Sequence, residues 1–482
     1  MSRLPTLRSP QHSIFQSLVE EVAARLDRRR SGDAALGDRP DHGHLAVAVA
    51  HEVARRHHAG EPIPDEAPEH LVETHGGFVK SLGPEIWSGC KLAAECVNSR
   101  FKGRDQEARA KLEELKFGTF DAAWVATLTD YEKYFGPSGH RAEIPYVRHA
   151  SMDDFVLDPL PENAKIALLG DWGTGTRTAV DVLKAVKAHR PDVLIHLGDI
   201  YYSGTERETE AYFLDIVNHV LERDQNPIPV YTLTGNHDMY SGGQGYYSLL
   251  TKLHPEPLFR PGHVQQASYF CLRSPSGAWQ LLGLDTGLHD HDPFSVAGHV
   301  TYLEPDEEAW HADKIRRFSR DGGRTVLLSH HQLFSAFSRI GDPGEKSPGE
   351  EAANPKLLES FRHFQAAAAD GTGDIAAWFW GHEHNLEIYE PYLGLEKGRC
   401  MGHGAIPKLL TQSVYQIAAG VPDPPRLVDD PRRPGTPLRL DAVDQVYAHG
   451  FTMIDIDDAA RTATASYYQE TDYQTPMYVE KL

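Results

Sequence analysis

The sequence predicts an α/β fold that follows an N-terminal helical region. Up to about residue 136 the apolar residues recur at helical spacing, as Ile14, Leu18 and Val22 do. From Lys165 onward, short apolar runs of strand character alternate with helical patterns such as TAVDVLKAVKAH over 178–189. Near the end of the chain, GFTMIDIDDAARTATASYYQE has the pattern of a β-hairpin.

Six apolar runs predict strands that are buried on both faces, because each is short, uninterrupted and ends at Gly or a small polar residue. These runs are KIALLG, DVLIHLG, IPVYTLTG, WQLLGLD, RTVLLS and DIAAWFWG. We therefore expect an α/β domain over residues 164–482, preceded by a helical domain over 1–140 and a connector over 141–163. Surface insertions are expected near 339–356 and 420–440, where Pro, Gly and charged residues cluster.

The composition is that of an ordinary soluble protein, with 40% apolar and 24% charged residues among 482. The formal charge of −21 argues against a nucleic-acid backbone or an anionic membrane as the partner. The four cysteines form no CxxC pair, which argues against a disulfide framework. The N-terminus has no apolar core of signal-peptide length, and no apolar run is long enough to span a membrane. These features predict a cytoplasmic protein.

Five of the predicted strands are followed by residue types that bind metal ions. The residues that follow them are Asp171, Asp199, Asn236, His330 and His382, with His237 and His384 close behind. Because ligands in α/β sheets bind at the carboxyl ends of the strands, we expect these side chains to converge on one site. Carboxylates, imidazoles and an amide oxygen suit a pair of cations, which one Asp can bridge with its two oxygens. The glycines before the ligands are expected where a turn needs unusual backbone angles.

The segments GDWG, GDIYY, GNHD, LLSHH and GHEH resemble, in this order, the five sequence blocks of calcineurin-like metallophosphoesterases. Purple acid phosphatases match best. Most of the superfamily has Asp-x-His in the first block, but here Gly173 stands in place of the His. Purple acid phosphatases also lack that His and supply a Tyr three residues after the second Asp, which is Tyr202 here. The resemblance covers roughly residues 164–404 and the closing hairpin, and it implies a metallophosphoesterase-type β-sandwich flanked by helices (αββα).

The resemblance also implies a role for each ligand. Metal one would be bound by Asp171, Tyr202 and His384, and metal two by Asn236, His330 and His382, with Asp199 as the bridge. His237 is similar to the histidine that contacts the substrate phosphate or protonates the leaving group. Two carboxylates and a phenolate supply a formal charge of about −3, so a trivalent and a divalent ion leave about +2 for hydroxide and phosphate oxygens. We therefore expect Fe(III) with Fe(II), Zn or Mn, and a metal-bound hydroxide as the nucleophile.

Four other features have weaker patterns. The strand period points His331 away from its neighbour. The loop LHDHDPF (288–294) is typical of a solvated loop, with a further metal or a pocket wall as the alternatives. Asp285 is interpreted as structural, and His403 as a turn residue or a pocket residue.

The leading hypothesis is a phosphomonoesterase that acts on a small-molecule phosphoester. An alternative is a nucleotide or cyclic-nucleotide phosphodiesterase of the same superfamily. A hypothesis of another class is an interaction protein, in which the N-terminal helical region recruits a protein partner.

Overall fold

The computed structural model describes Pro64 and residues 144–482, with gaps at 202, 292–298, 342–345, 409, 411–412 and 444–445. The predicted helical domain over 1–140 lies outside the described residues, as does the start of the connector. Within the described part of the chain, no helix is long and apolar enough to cross a membrane.

The first of two six-stranded sheets contains the strands that carry Asp171, Asp199 and Asn236. Its strands are β1 (Asn163–Leu169), β2 (Val193–His196), β3 (Val230–Thr232), β12 (Gly450–Asp457), β13 (Thr462–Gln469) and β14 (Tyr478–Lys481). They lie in the order β14-β13-β12-β1-β2-β3. Strands β1, β2 and β3 are parallel, and β12 pairs antiparallel with both β1 and β13. The predicted C-terminal hairpin is therefore confirmed, and it extends the sheet beyond β1.

The second sheet contains the strands that carry His330 and His382. Its strands are β4 (Phe270–Arg273), β5 (Trp279–Gly283), β6 (Arg324–Leu328), β7 (Ile375–Trp380), β8 (Leu386–Ile388) and β9 (Gly398–Met401). They lie in the order β4-β5-β6-β7-β9-β8, with β5, β6, β7 and β9 parallel. A separate ribbon pairs β10 (Ala442–Val443) with β11 (Val446–Tyr447).

The helices follow the strands in the alternation that the sequence predicts. They are α1 (Arg177–Ala188), α2 (Glu206–Glu208), a π-helical turn (Thr209–Leu214), α3 (Asp215–Leu221), α4 (Asn236–Met239), α5 (Gln244–Leu253), a 3₁₀ turn (Pro261–His263), α6 (Pro305–Arg320) and α7 (Pro355–Ala369). Thr176 starts α1 because its side chain accepts a hydrogen bond from the backbone N–H of Ala179. Asn354 caps α7 in the same way, and Pro355 follows it at the first helical position.

The apolar side chains form three layers. Ile166 and Leu168 of β1 pack between the two sheets, whereas the alternate residues Ala167 and Leu169 pack against helices on the outer face. In the second sheet, Leu327 similarly faces an outer cluster that includes residues of α6 and α7. The strands are buried on both faces, as predicted, and the expected αββα sandwich is confirmed.

The segment near 420–440, expected as a surface insertion, is attached to the body of the fold. The backbone N–H of Val428 donates to the carbonyl of Ile388 in β8 at 2.8 Å. Leu438 belongs to the apolar cluster between the sheets. The charged residues of this segment pair with one another, because Arg432 and Arg433 both contact the buried carboxylate of Asp430.

A buried ion pair connects the two sheets. Arg399 of β9 donates from Nε and Nη2 to the two carboxylate oxygens of Glu480 in β14, at 2.6 and 2.7 Å. Both side chains are almost fully buried, and Glu480 also accepts from the hydroxyl of Tyr467 at 2.6 Å. Removal of one partner would leave the other charge buried without compensation.

Replacement of Glu480 by Gln should lower the free energy of unfolding by about 3–5 kcal/mol, because Arg399 then keeps its charge in an apolar site. Asp374→Asn is the matched control, since Asp374 forms a similar two-point contact with Arg324 at the surface. The control should cost less than about 1 kcal/mol. Urea denaturation of both variants measures the difference, and equal losses would contradict the role of the buried pair.

Candidate metal centre

The predicted ligands that the structure describes meet where the carboxyl ends of the two sheets come together. They form two groups that share Asp199. The first donor group contains Asp171, Asp199, Tyr201 and His384. The second donor group contains Asp199, Asn236, His330 and His382.

In the second donor group, every measured contact between ligand atoms is just over 3 Å. Asn236 Oδ1 lies 3.2 Å from His330 Nε2 and 3.1 Å from His382 Nδ1, and the two imidazole nitrogens are 3.2 Å apart. Asp199 Oδ2 lies 3.4 Å from His330 Nε2. The other nitrogen of His330, Nδ1, donates to the carbonyl of Leu197 at 3.0 Å, which leaves the Nε2 lone pair for a metal ion.

The first donor group is arranged around a phenol. The hydroxyl oxygen of Tyr201 lies 2.9 Å from Asp171 Oδ1, 3.0 Å from Asp199 Oδ2 and 3.1 Å from His384 Nε2, so its one proton can be donated to either carboxylate. The sequence predicted Tyr202 for this position, and Tyr202 lies outside the described residues. Tyr201 is thus a site residue that the family spacing did not identify, although it is the adjacent residue of the same type.

Asp199 connects the two groups through one oxygen. Its Oδ2 contacts both Tyr201 and His330, whereas its Oδ1 accepts the backbone N–H of His237 at 3.1 Å. The expectation that both oxygens bridge the cations stays a prediction, because a carboxylate oxygen that accepts one N–H keeps a second lone pair.

Both groups fit metal ions. Ligand atoms bound to one ion at 2.0–2.1 Å lie about 2.9–3.4 Å from their neighbours in octahedral or tetrahedral geometry. The contacts in both groups fall in this interval, from 2.9 to 3.4 Å. Among the described residues, three sets offer donor atoms close enough to share an ion: Asp171, Asp199 and His384; His330, His331 and His382; and Glu383, Glu387 and Cys400. The first two contain members of the two donor groups.

Three of the ligand residues have a strained backbone conformation. Asp171, Asp199 and His382 have φ angles of 54°, 74° and 70°, a region that residues with a side chain seldom adopt. Gly235, which precedes Asn236, was expected to allow unusual backbone angles. The structure shows that it is required because there is no space for a side chain. A Cβ on Gly235 would stand 2.0 Å from Asp199 Oδ1, so only glycine allows this loop to pack against the shared carboxylate.

Burial acts to raise the pKa of both carboxylates, but at Asp199 the charges of His330 and the neighbouring imidazoles outweigh it and hold the pKa below its usual range. Burial raises the pKa of Asp171 to about 7, and the charge of Asp199 adds to this effect. Burial and then the two carboxylates raise the pKa of the Tyr201 phenol well above its usual value. A cation among these oxygens would reverse both shifts, because it stabilises the ionised forms.

A cavity of about 450 Å³ opens over the donor groups. His237 lines it and is half-buried, with its ring 4.5 Å from that of Tyr201 and 4.8 Å from that of Tyr240. His331, for which the sequence contained only a weak indication of a functional role, also lines the cavity. His403 does not, because it is buried with its Nε2 3.4 Å from the carbonyl of Tyr468.

His331 and Asp290 form a buried pair that the sequence patterns did not indicate. His331 Nε2 lies 3.0 Å from Asp290 Oδ2, and its Nδ1 lies 3.1 Å from the hydroxyl of Thr286. The interpretation of 288–294 as a solvated loop is wrong for Asp290, which is fully buried. Asp285 is structural, as predicted, since it accepts from Thr234 and from the backbone of the following turn.

Two carboxyl groups support the loop that carries His382 and His384. Glu383 Oε1 accepts from the hydroxyl of Ser335 at 2.6 Å, and Glu387 accepts from the hydroxyl of Tyr389. An oxygen of Glu383 and an oxygen of Glu387 lie within 4.8 Å of each other. Burial raises the pKa of Glu383 to about 7, and burial together with the charge of Glu383 raises that of Glu387 well above its usual range.

The two-sheet fold with two donor groups at its strand ends defines a class of proteins that hold a pair of metal ions. Residues 164–386 match the family model described as calcineurin-like phosphoesterase. This part of the chain belongs to that family, and the protein is a metal-dependent phosphoester hydrolase. No curated protein matches the chain significantly in sequence.

Solved structures with a similar fold include GAP50, described as the anchor in the inner membrane complex of Plasmodium. That likeness has 12% sequence identity and a TM-score of 0.41, and it covers 66% of this chain and 88% of GAP50. Another is a dimetal phosphatase from Danio rerio, with 12% identity, a TM-score of 0.35, and coverage of 67% of this chain and 98% of the other. At these values, neither likeness bears on the activity of this chain.

Tyr240 orients the amide of Asn236. Asn236 Nδ2 donates to the buried hydroxyl of Tyr240 at 2.6 Å, which turns Oδ1 towards His330 and His382. Replacement of Tyr240 by Phe should therefore weaken the second metal site by about 10–100-fold, as loss of such an outer partner typically does.

Metal titration of the metal-free protein, followed by elemental analysis, tests this expectation. The matched control is Tyr246→Phe, which removes a buried hydroxyl that donates to the carbonyl of Thr232 at 2.7 Å. The control should retain both ions. Unchanged affinity for the second ion in Tyr240→Phe would contradict the orienting role.

Proposed function

We propose that this protein is a phosphomonoesterase of the purple-acid-phosphatase type. The observation that carries this proposal is the phenol oxygen of Tyr201, which lies within about 3 Å of three other donors of the first group. A phenol beside the first ion, together with Gly173 in place of a histidine, is the feature that separates this type from the rest of the family. We assign the phenol to Tyr201, while Tyr202 stays a prediction from the family spacing.

The side chains of the site would have different roles in the reaction. When bound by the two donor groups, metal ions would polarise the phosphoryl oxygens and supply a hydroxide nucleophile at neutral pH. Asp199 holds the two groups in register through Oδ2. His237 lies at the cavity wall between two aromatic rings, and its backbone is fixed to Asp199 Oδ1. From there its imidazole is placed to donate a proton to the leaving oxygen.

The donor set favours a trivalent ion in the first group. Asp171, Asp199 and an ionised Tyr201 supply a formal charge of about −3, so Fe(III) with Fe(II), Zn or Mn leaves about +2 for hydroxide and phosphate. Two divalent ions would leave about +1. The cytoplasmic location and a protein partner for the N-terminal region stay predictions.

Hydrolysis of p-nitrophenyl phosphate against its bis ester tests the reaction type. We expect the monoester to be preferred, because its dianion presents more negative charge to the cations than the monoanionic bis ester does. His237→Asn should lower kcat on the monoester by about 10²–10⁴-fold. A strong preference for the bis ester would favour a phosphodiesterase, and full activity of His237→Asn would remove this residue from the mechanism.

The visible spectrum of protein reconstituted with iron tests the phenol ligand. We expect a tyrosinate-to-iron charge-transfer band that persists in Tyr202→Phe and disappears in Tyr201→Phe. The opposite result would assign the ligand to Tyr202, in agreement with the family spacing. Full activity of a colourless Zn or Mn protein would refute the ferric part of the proposal.

A further inference from the structure

The cavity over the metal centre is larger than the phosphoryl group requires. Its volume of about 450 Å³ lies in the range of about 300–1,000 Å³ that is typical of pockets for whole small molecules. The loop between β6 and α7 supplies much of its wall, with lining residues from His331 to Asn354. This loop would therefore contact the leaving group of a phosphoester that is bound at the metal centre.

Four of the described residues that line the cavity carry a side-chain amide, and three of these amides have partners within the fold. Asn236 belongs to the second donor group. Asn354 caps α7 through Oδ1, and its Nδ2 donates to the carbonyl of Thr301 at 3.1 Å. Asn385 Nδ2 donates to the carbonyl of Val414 at 3.5 Å.

The fourth amide belongs to Gln332 and has no partner within the described part of the chain. Gln332 lines the cavity and is 6% exposed. Neither its Oε1 nor its Nε2 forms a hydrogen bond, and neither atom is sealed off from solvent. Because the residue is almost fully buried, the solvent that its amide meets is that of the cavity.

The backbone on both sides of Gln332 is fixed. The N–H of His331 donates to the hydroxyl of Thr286 at 3.0 Å. On the other side, the carbonyl of Leu333 accepts from the N–H of Asn354 at 2.8 Å. The Gln332 amide is therefore presented from a rigid support, which reduces the entropy that binding of a ligand would cost.

An amide in such a place discriminates between leaving groups by their hydrogen bonds. Its Oε1 accepts and its Nε2 donates, so its complement is another amide, which pairs with it through one hydrogen bond in each direction. An apolar leaving group would displace water from the amide and leave both atoms unpaired. A site with such polar groups rejects analogues that lack the matching groups.

The rest of the wall around Gln332 includes apolar surface. Phe337 and Ile340 of the same loop line the cavity, as does Val414 from the segment after β9. Phe337 is held edge-on against the ring of Tyr415, with 5.5 Å between the centroids. These side chains would contact the carbon skeleton of a leaving group rather than a charged part of it.

We propose that the cavity binds a phosphomonoester whose leaving group is an apolar skeleton with an uncharged carboxamide-type group, –CO–NH–, recognised by Gln332. This inference rests on the proposed phosphomonoesterase function and specifies its substrate class. Gln332 thereby determines specificity for the leaving group and takes no part in the transfer of the phosphoryl group.

Three aryl phosphates of nearly equal shape test the proposal. They carry a carbamoylmethyl, an acetonyl or an isobutyl group on the ring, each as the para and the meta isomer, and the methylene keeps the acidity of the leaving phenol similar. We expect kcat/KM for the carboxamide to exceed that for the isobutyl compound about tenfold in at least one isomer, mainly through KM, because two neutral hydrogen bonds form. The ketone, which only accepts, should lie between them.

The ratio of kcat/KM values within each variant separates recognition from general damage to the protein. In Gln332→Met, which keeps the length of the side chain but not the amide, the ratio of carboxamide to isobutyl should fall towards one. In Gln332→Glu the carboxylate only accepts, so the ketone should lose its advantage while the carboxamide retains part of its own. Gln365→Met is the matched control, since Gln365 on α7 donates to the carbonyl of Gly394 and does not line the cavity. Its ratios should equal those of the wild type.

Two results would overturn the proposal while the isobutyl compound is still hydrolysed. One is equal kcat/KM for the three substrates in both isomers, and the other is a carboxamide advantage in Gln332→Met as large as that of the wild type. Failure to hydrolyse any of the monoesters, with activity towards a diaryl phosphodiester, would overturn the proposed function itself and this inference with it.

Discussion

The structure depends on the cost of burying two carboxylates next to each other. Asp171 and Asp199 are both buried, and the phenol oxygen of Tyr201 lies within hydrogen-bond distance of both. Among the described residues, the ionisable groups at ion-pair distance from them are imidazoles. Two bound metal ions would add the positive charge that stabilises the ionised form of both carboxylates. Asp199 Oδ2 lies next to members of both donor groups, so this carboxylate would hold the two ions together.

The sandwich is what allows one site to draw ligands from both sheets. Strands β1 to β3 belong to one sheet, and β6 and β7 to the other, but all five end at the same edge. The apolar cluster between the sheets and the pair formed by Arg399 and Glu480 hold these ends in register. This rigid support also sustains the left-handed backbone of Asp171, Asp199 and His382, which isolated turns would not retain.

The strands and most of the ligands can be recognised in the sequence, because a buried strand and the metal-binding residue after it are adjacent in the chain. The choice between Tyr201 and Tyr202 is not local, since the left-handed turn at Asp199 sets the direction of the residues that follow. The burial of Asp290 depends on His331, which is 41 residues away. The strand period misjudged His331 itself, because β6 ends at Leu328 and its alternation stops there. Strands β8 and β9, with three and four residues, are too short for a periodic signal.

The buried carboxyl group of Glu387 links folding to the acidity of the medium. The pKa of Glu387 is raised in the folded chain by burial and by Glu383, from an ordinary value of 4.5. Above that pH the folded chain therefore holds a proton that the unfolded chain releases, so folding consumes a proton from the solvent. By mass action, this contribution to stability is complete in acid and declines as the pH rises. The support beneath the metal-binding loop is consequently weakened by base.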